Sequence, residues 1–371
     1  MAAPNQNHVL NQMETQTVRE HNIHAGYELQ PVNTKDVLFT THIDYPGHSL
    51  SNVQIAAHHY RKGTGLSADT PGIVLFFMHG IGHHKEMWEP MLEDLLLLEE
   101  KGSSKHAIQE AWAVDYETHG ESAILNEETL KAHPKHVATY EAAEIYARIF
   151  QRHLAHFKPS IHSLVAIGHS AGCVITSVLQ LEFGRANHIP YTSMILIEPA
   201  LKAHYLLTDH TDVYLAVKSM TATRRDIWNS RTDAKTYFAQ RLPWITWDRR
   251  VLDKYVEYGL RELPTAIYPK KTGVTLCTPR QTEAEAWVPL DATLDAMNRL
   301  NQVSTTVPVH LVFGEREELY SDAARKSLSS PLEGRVIASE SYVSNAGHLV
   351  VQEQPKLLAE NISHILNKIF Q

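Results

Sequence analysis

Short runs of apolar residues alternate along most of this chain with longer stretches whose apolar positions recur at helical spacing. A continuous apolar run bounded by turn residues is typical of a strand that is covered on both faces. The predicted strands are residues 37–45, 53–60, 73–78, 111–115, 163–167, 194–197, 307–313 and 336–343. The predicted helices are residues 85–100, 137–157, 171–183 and 355–370. Repeated strand–helix units predict an α/β fold with a mainly parallel sheet and helices on both faces.

The alternation of strands and helices stops at about residue 200 and resumes at about residue 307. Between these points Tyr, Trp, Arg and Asp mix with helical stretches, and we interpret residues 200–306 as an inserted, mostly helical cap. The predicted core is then residues 36–199 and 307–371. Residues 1–35 are polar and lack periodicity, so we expect an N-terminal arm, which is long enough to contribute to a homodimer contact.

Composition argues against several classes of protein. The chain has 371 residues and a formal net charge of −8 without a long basic run, so no nucleic-acid-binding surface is expected. No apolar stretch is long enough to span a bilayer, and residues 1–30 lack the features of a secretory signal. With only two cysteines, Cys173 and Cys277, a reducing, cytoplasmic location is expected. None of the 24 histidines shows zinc-ligand spacing, so neither a metal nor another cofactor is predicted.

The predicted strand at residues 163–167 ends in Gly168-His169-Ser170-Ala171-Gly172, a G-x-S-x-G pattern, and a predicted helix follows. A sharp turn from a strand into a helix strains its central residue. It also leaves no room for side chains two positions before and two positions after that residue, where this sequence has Gly168 and Gly172. The Ser170 hydroxyl would then project beside the outward-pointing N–H groups of a helix N-terminus, such as that of Ala171. We therefore predict that Ser170 is a nucleophile. The alternative is a serine that only caps the helix.

A second glycine-containing turn, His79-Gly80-Ile81-Gly82, follows the predicted strand at residues 73–78. Gly80 and Gly82 allow the backbone to approach a substrate closely, and we expect the Ile81 N–H to face developing negative charge. The pattern predicts an oxyanion-binding loop that also contacts substrate. The alternative is an ordinary turn between a strand and a helix.

Taken in order, these motifs resemble those of the α/β-hydrolase superfamily over residues 35–371. The motifs that carry the resemblance are residues 79–82, the D-x-x-x-H-G-x-S loop at 115–122, residues 168–172, residues 314–317 and Gly347-His348. The cap is similar to that of fungal α/β-hydrolases often found beside secondary-metabolite genes. The resemblance implies the α/β-hydrolase fold with a cap inserted between two of its strands.

The resemblance also implies a Ser–His–acid triad. His348 is the only histidine at the family's position for the base that activates Ser170, and it needs a carboxylate at its other ring nitrogen. Glu317 matches the family's acid position, with glutamate in place of the commoner aspartate, and is the preferred candidate. Glu198, which follows the strand before the cap, occupies an alternative acid position of this fold. Glu315 is the third candidate.

The predicted function is hydrolysis of an ester, lactone or thioester of a mostly apolar small molecule through an acyl-enzyme. The alternatives are C–C bond hydrolysis or acyl transfer by the same triad, because this fold hosts several reactions. A non-catalytic binding protein is a third hypothesis, against which the presence of both Ser170 and His348 argues. Aromatic residues of the cap are expected either to line an apolar cavity or to pack the cap against itself. They are Trp228, Tyr237, Trp244, Trp247 and Trp287.

Overall fold

A nine-stranded sheet forms the centre of the part of the chain that the computed structural model describes. That part comprises residues 20–22, 37–45, 48–61, 69, 71–101, 107–133, 142–143, 146–147, 157–176, 191–206, 211–287 and 290–370. Its strands are β1 (Glu20–Asn22), β2 (Val37–Tyr45), β3 (His48–Arg61), β4 (Gly72–Met78), β5 (Ile108–Val114), β6 (His162–His169), β7 (Tyr191–Ile197), β8 (Ile227–Trp228), β9 (Leu260–Glu262), β10 (Val274–Leu276), β11 (Val309–Gly314) and β12 (Ser339–Val343). Every predicted strand overlaps one of these.

The order of strands across the large sheet is β1-β3-β5-β4-β6-β7-β11-β12, and β2 also pairs with β3. The six strands from β5 to β12 in this order run parallel to their neighbours, whereas β3 is antiparallel to both β2 and β5. The carboxyl ends of β4, β6, β7, β11 and β12 therefore lie at one edge of the sheet. This topology confirms the predicted α/β-hydrolase fold class.

Successive residues of the central strands contribute to two separate hydrophobic clusters, one on each face of the sheet. In β4, for example, Val74 and Phe76 belong to one cluster, and Leu75 and Phe77 belong to the other. This is the alternation of a strand that is buried on both faces. The continuous apolar runs of the sequence thus correspond to strands covered by helices.

The α-helices include some that pack against the large sheet and others that lie in the segment between β7 and β11. In chain order they are α1 (Glu89–Lys101), α2 (Gly120–Leu125), α3 (Glu127–Ala132), α4 (Thr211–Thr223), α5 (Arg231–Phe238), α6 (Arg249–Tyr258), α7 (Arg280–Glu285), α8 (Leu290–Val303), α9 (Asp322–Ser329), α10 (Val350–Glu353) and α11 (Pro355–Ile369). Residues 142–143, 146–147 and 171–176 are also helical. The remainders of the predicted helices at 137–157 and 171–183 lie outside the described residues, as does most of the predicted arm.

The segment between β7 and β11 contains a second, smaller sheet. Strands β8, β10 and β9 pair antiparallel in that order, and this part of the chain has its own cluster of buried residues, including Trp228, Phe238 and Tyr255. Helix α8, which falls inside the predicted cap boundaries of 200–306, instead packs against the large sheet through Ala296 and Leu300. The apolar face of α8 could pack either on the sheet or within the segment between β7 and β11, so its sequence alone does not show which of the two it covers.

Candidate active site

Ser170 occupies the sharp turn between β6 and the helical residues 171–176. Its φ angle is +54°, a left-handed conformation that costs free energy for a residue other than glycine. A Cβ atom at Gly172 would collide with the carbonyl oxygen of Met78, and one at Gly168 would lie 2.8 Å from the Cys173 nitrogen. Close packing on both sides of Ser170 thus explains the two glycines of the motif.

His348 lies on the loop after β12 and contacts the serine. Its Nε2 is 3.0 Å from Oγ of Ser170. The backbone of His348 is held at both of its polar groups: its N–H donates to a Glu318 carboxylate oxygen at 3.1 Å, and its carbonyl oxygen accepts from Nε2 of His169 at 2.9 Å. The imidazole is therefore presented to Ser170 by a fixed piece of backbone.

Glu198 is the carboxylate that contacts this histidine. The distance from Oε2 of Glu198 to Nδ1 of His348 is 3.2 Å. Because a carboxylate accepts, Nδ1 carries the proton and the Nε2 lone pair faces the Ser170 hydroxyl. The other carboxylate oxygen of Glu198 accepts from the Gly314 N–H and from Nη2 of Arg325, both at 2.8 Å. Glu198 is fully buried and has a φ angle of +44°.

The preferred acid candidate, Glu317, does not contact His348 in this structure. Its side chain is exposed and accepts a hydrogen bond at 3.0 Å from the N–H of Asp322, the first residue of helix α9. Glu315 is exposed as well and accepts from the Asn345 N–H at 3.0 Å. The chain turns outward after β11, so both side chains leave the sheet edge. The structure thus brings Glu198 to the histidine and leaves the other two candidates outside.

The predicted oxyanion loop lies next to Ser170. A Cβ atom on Gly80 would lie only 3.2 Å from Cβ of Ser170. The backbone of the loop can therefore come this close to the serine because residue 80 is a glycine. The N–H groups of Ile81 and Ala171 have no hydrogen-bond acceptor among the described residues. The N–H of Gly82, in contrast, donates to Nε2 of His119 at 3.0 Å. Gly82 therefore has no N–H left for an oxyanion, and its role is to let the backbone come close to a substrate.

Several histidines around this loop are buried and neutral. Burial lowers the pKa of His79 and His83 well below the usual value. Burial also lowers the pKa of His119 and His169 to about 3, and at His169 the repulsion between two protonated rings, its own and that of His348, lowers it further. These rings act near neutral pH as hydrogen-bonding and packing groups without a charge. His83 and His84 are buried, contrary to the exposure that a loop position suggests.

A cavity of about 650 Å³ opens onto Ser170 and His348. Most of its remaining wall is apolar and comes from the segment between β7 and β11. The aromatic residues of that wall are Tyr237, Trp244, Trp247, Tyr255 and Trp287. Trp228 does not border the cavity; it packs against Phe238, with ring centroids 4.9 Å apart. Four of the five predicted aromatic residues therefore line the cavity, and the fifth belongs to the buried cluster of the segment between β7 and β11.

An ion pair in the wall of the cavity was not predicted from the sequence. Both terminal nitrogens of Arg224 donate to the carboxylate of Glu283, one of them at 3.0 Å. Glu283 is buried against the oxyanion loop, because a Cβ atom on Gly82 would lie 2.6 Å from its Oε1. Burial raises the pKa of the Glu283 carboxyl above its usual range, against the opposing effect of Arg224. Arg224 belongs to the segment Arg224-Arg225-Asp226 that contributes to the resemblance of the cap, but no local motif marks Glu283, which lies 59 residues further along the chain.

A group of three potential metal ligands, His58, Glu86 and Glu121, occurs in the described part of the chain. The Lys85 ammonium lies among these carboxylates, 2.8 Å from Glu86 and 3.0 Å from Glu121. It also contacts Asp115 at 3.1 Å. A buried lysine therefore supplies the positive charge that a metal ion would bring to this cluster.

A strained serine between a parallel strand and a helix, with a carboxylate after the neighbouring strand and a histidine after another parallel strand of the same sheet, defines an α/β hydrolase. Residues 74–361 match the sequence model of the alpha/beta hydrolase family, and the chain belongs to this family. The family is one of enzymes.

Among curated proteins, the chain is 28% identical over 277 residues to the type I acyl-CoA thioesterase mpaH of Penicillium brevicompactum. The alignment covers 69% of this chain and 60% of that protein. The chain is 27% identical over 271 residues to the type I acyl-CoA thioesterase mpaH of Penicillium roqueforti, covering 66% and 57%. The chain thus spans about 60% of the length of these relatives. The predicted similarity to fungal hydrolases of secondary metabolism is confirmed.

Solved structures share the fold at low sequence identity. The peroxisomal alpha-beta-hydrolase Lpx1 of Saccharomyces cerevisiae has a TM-score of 0.70 and 17% identity, over 91% of this chain and 89% of that one. The hydrolase of E-2-(acetamidomethylene)succinate has a TM-score of 0.59 and 18% identity, over 89% and 99%. At these sequence identities, the two comparisons show a shared fold. No helix in the described residues combines the length and apolar character needed to cross a membrane.

Proposed function

We propose that this protein hydrolyses an ester or thioester of a mostly apolar small molecule through an acyl-enzyme formed on Ser170. The observation that carries the proposal is the unbroken contact from Ser170 Oγ to His348 Nε2, at 3.0 Å, and from His348 Nδ1 to Glu198, at 3.2 Å. A serine hydroxyl is a weak nucleophile until a base in hydrogen-bonding reach takes its proton. His348 is so placed, and Glu198 fixes its tautomer.

In this mechanism His348 accepts the Ser170 proton as the hydroxyl attacks the carbonyl carbon. Glu198 stabilises the imidazolium that forms, and His348 then donates the proton to the leaving alcohol or thiol. Water, activated by the same histidine, releases the acyl group. The N–H groups of Ile81 and Ala171 are the proposed oxyanion donors, since both belong to backbone beside Ser170 and neither has an acceptor among the described residues.

The cavity supports a bulky, mostly apolar acyl group. Its volume of about 650 Å³ lies within the range for drug-sized ligands, and its aromatic wall offers flat apolar surface. Among esters, lactones and thioesters, we propose the thioester as the favoured substrate, because the Penicillium relatives are acyl-CoA thioesterases by name.

The test combines covalent labelling with product analysis. A fluorophosphonate probe should label the wild-type protein and the control variant Ser341→Ala, but not Ser170→Ala. Thioesters of coenzyme A with acyl groups of increasing size should release free thiol and carboxylic acid, and added alcohol should not divert the product. Absence of labelling at Ser170 would overturn the mechanism. Products formed mainly by transfer to the alcohol would replace hydrolysis by acyl transfer.

A cytoplasmic location and a homodimer are further proposals. Both cysteines, Cys173 and Cys277, are buried and neither forms a disulfide in the described part of the chain, which is compatible with a reducing compartment. Cell fractionation tests the location, and light scattering of the purified full-length chain tests the oligomeric state.

A further inference from the structure

The two peptide groups on either side of Ile81 are each held by a histidine. The carbonyl oxygen of Gly80 accepts a hydrogen bond from Nδ1 of His79 at 2.8 Å. The N–H of Gly82 donates to Nε2 of His119 at 3.0 Å. Since the N–H and C=O of a trans peptide point in opposite directions, each hydrogen bond fixes the orientation of one whole peptide group. The Ile81 N–H belongs to the Gly80–Ile81 peptide, which His79 holds, and the Ile81–Gly82 peptide, which His119 holds, joins it at the Ile81 Cα. A rotation of the second peptide therefore shifts Ile81 and can turn its N–H.

We propose that His119 is a positioning residue: by holding the Ile81–Gly82 peptide, it keeps the adjoining Gly80–Ile81 peptide, and with it the Ile81 N–H, directed at the oxyanion. The inference rests on the oxyanion role proposed above. His119 belongs to the loop between β5 and α2, 37 residues away in sequence from Gly82, and is buried. It therefore supports the oxyanion loop from the core of the molecule, without contacting the reacting atoms.

The hydrogen bonds define which form of His119 can do this. Burial lowers the pKa of the imidazole to about 3, so the ring is neutral near pH 7. Its Nδ1 lies 2.8 Å from Oγ1 of Thr118, which can accept a hydrogen bond. A neutral ring that donates from Nδ1 to Thr118 keeps the Nε2 lone pair for the Gly82 N–H. Thr118 thus selects the useful tautomer.

The far side of Gly82 is closed by the cap. Gly82 has a φ angle of +76°, and a Cβ atom there would lie 2.6 Å from Oε1 of Glu283. The loop is therefore confined between His119 and Glu283. Removal of the His119 acceptor would leave a donor unpaired in a tight space, and rotation of the peptide is a way to relieve that cost.

The experiment compares His119→Leu, which removes the acceptor, with His119→Gln, whose side-chain oxygen can replace Nε2. His133→Leu, at an exposed position, is the matched control. The measurements are kcat and KM on a thioester, and inhibition by an alkyl trifluoromethyl ketone and by the corresponding alcohol. The ketone forms a tetrahedral oxyanion with an active serine, whereas the alcohol binds without reacting.

We expect His119→Leu to lower kcat by about 100-fold, the size of a lost oxyanion donor, with KM little changed. Inhibition by the ketone should weaken by a similar factor and inhibition by the alcohol should not, while His119→Gln should retain most activity. Equal losses for ketone and alcohol, or a glutamine variant as impaired as the leucine variant, would show a merely structural role and overturn the proposal.

A second pair of variants keeps the test decisive if His119→Leu does not fold. Thr118→Val removes the acceptor that selects the tautomer, and Thr118→Ser keeps it. Only the valine variant should lose affinity for the ketone, by less than His119→Leu, and unchanged affinity would overturn the proposal. A wild-type protein that neither hydrolyses thioesters nor reacts with the ketone would instead overturn the proposed function itself.

Discussion

The loops after β7 and β11 both place glutamates near the carboxyl edge of the sheet, but they differ in what those glutamates touch. Glu198, the first residue after β7, is fully buried and lies 3.2 Å from Nδ1 of His348. Glu317, after β11, is exposed and bonds the Asp322 N–H. The comparison indicates two conditions under which a carboxylate at a strand end becomes part of the site. Its backbone must direct the side chain inward, and its neighbours must stabilise the buried negative charge.

Glu198 meets both conditions. Its φ angle of +44° turns the side chain at the strand end, as the φ angle of +54° does for Ser170 at the end of β6. A buried carboxylate is costly unless it is paired and hydrogen-bonded. Here the Gly314 N–H and the Arg325 guanidinium both bond its Oε1. Glu317 faces water and needs none of this.

The largest predicted effect separates the two glutamates. Glu198→Gln should lower kcat on a thioester by about ten-thousandfold, as loss of the acid does in triads of this kind, while Glu317→Gln should stay close to wild type. Circular dichroism of both purified variants controls for folding. The reverse result, an inactive Glu317 variant beside an active Glu198 variant, would return the acid to the loop after β11.

The next effect concerns the charge that accompanies Glu198. Arg325→Met removes one partner of a buried ion pair and should reduce the free energy of unfolding by about 3–5 kcal/mol, together with a loss of turnover. Lys326→Met is the matched control, because Lys326 pairs with Asp322 at the exposed surface and should matter little. Urea unfolding of both variants measures the difference. Equal stabilities would mean that Arg325 does not compensate the burial of Glu198.

Much of this arrangement could be predicted from sequence, because it follows from local patterns. The apolar runs located the strands, and the glycines at 168 and 172 located the turn at Ser170. The choice of acid was different in kind. Glu198, Glu315 and Glu317 all follow strands of the same sheet, so position along the chain does not distinguish them.

What distinguishes the three glutamates is a long-range contact. Arg325 pairs with Glu198 across 127 residues of sequence, and no pattern around either residue announces the partnership. The contact between Arg224 and Glu283 and the packing of helix α8 on the large sheet are also long-range, so neither could be predicted from local sequence. Local periodicity shows that a helix has an apolar face, whereas the surface that this face covers depends on the whole chain.

A pH experiment extends the comparison from carboxylates to imidazoles whose burial is not compensated by charge. The pKa of His119 and His169 is lowered by burial to about 3, whereas an unfolded histidine titrates near 6.5. Between these values the unfolded chain binds more protons than the folded chain. The free energy of unfolding should therefore fall as the pH falls from 6.5 toward 3, by up to about 1.4 kcal/mol per pH unit for each histidine.

Urea titrations at pH 7, 6 and 5 measure this slope, and His119→Gln isolates one contribution. The variant should lose the contribution of one histidine to the slope, which is small at pH 7 and approaches about 1.4 kcal/mol per pH unit at pH 5, because glutamine does not titrate. A slope identical to that of the wild-type protein would mean that His119 binds protons equally in the folded and unfolded chains, and is therefore a protonated ring in the folded protein below about pH 6.5. Such a ring could not accept a hydrogen bond from Gly82, so the result would also count against the positioning role.

The smallest predicted effect concerns the predicted cap, where two buried tryptophans have different surroundings. Trp247 borders the cavity, whereas Trp228 packs on Phe238 and does not. Trp247→Ala should change the relative kcat/KM between a short and a bulky acyl thioester by about tenfold, the scale of a changed apolar pocket contact. Labelling of Ser170 by a small fluorophosphonate should be almost unchanged, because that probe does not need the cap wall.

Trp228→Ala is the control, since it removes a side chain of similar size from the core of the cap. It should lower stability, and any loss of labelling should be in proportion to the loss of turnover on both thioesters. If Trp247→Ala behaves in the same way, the wall of the cavity supports the fold of the cap and does not select the acyl group. A changed preference with unchanged labelling would instead place specificity in the cap and chemistry at the sheet edge, where Glu198 rather than Glu317 meets His348.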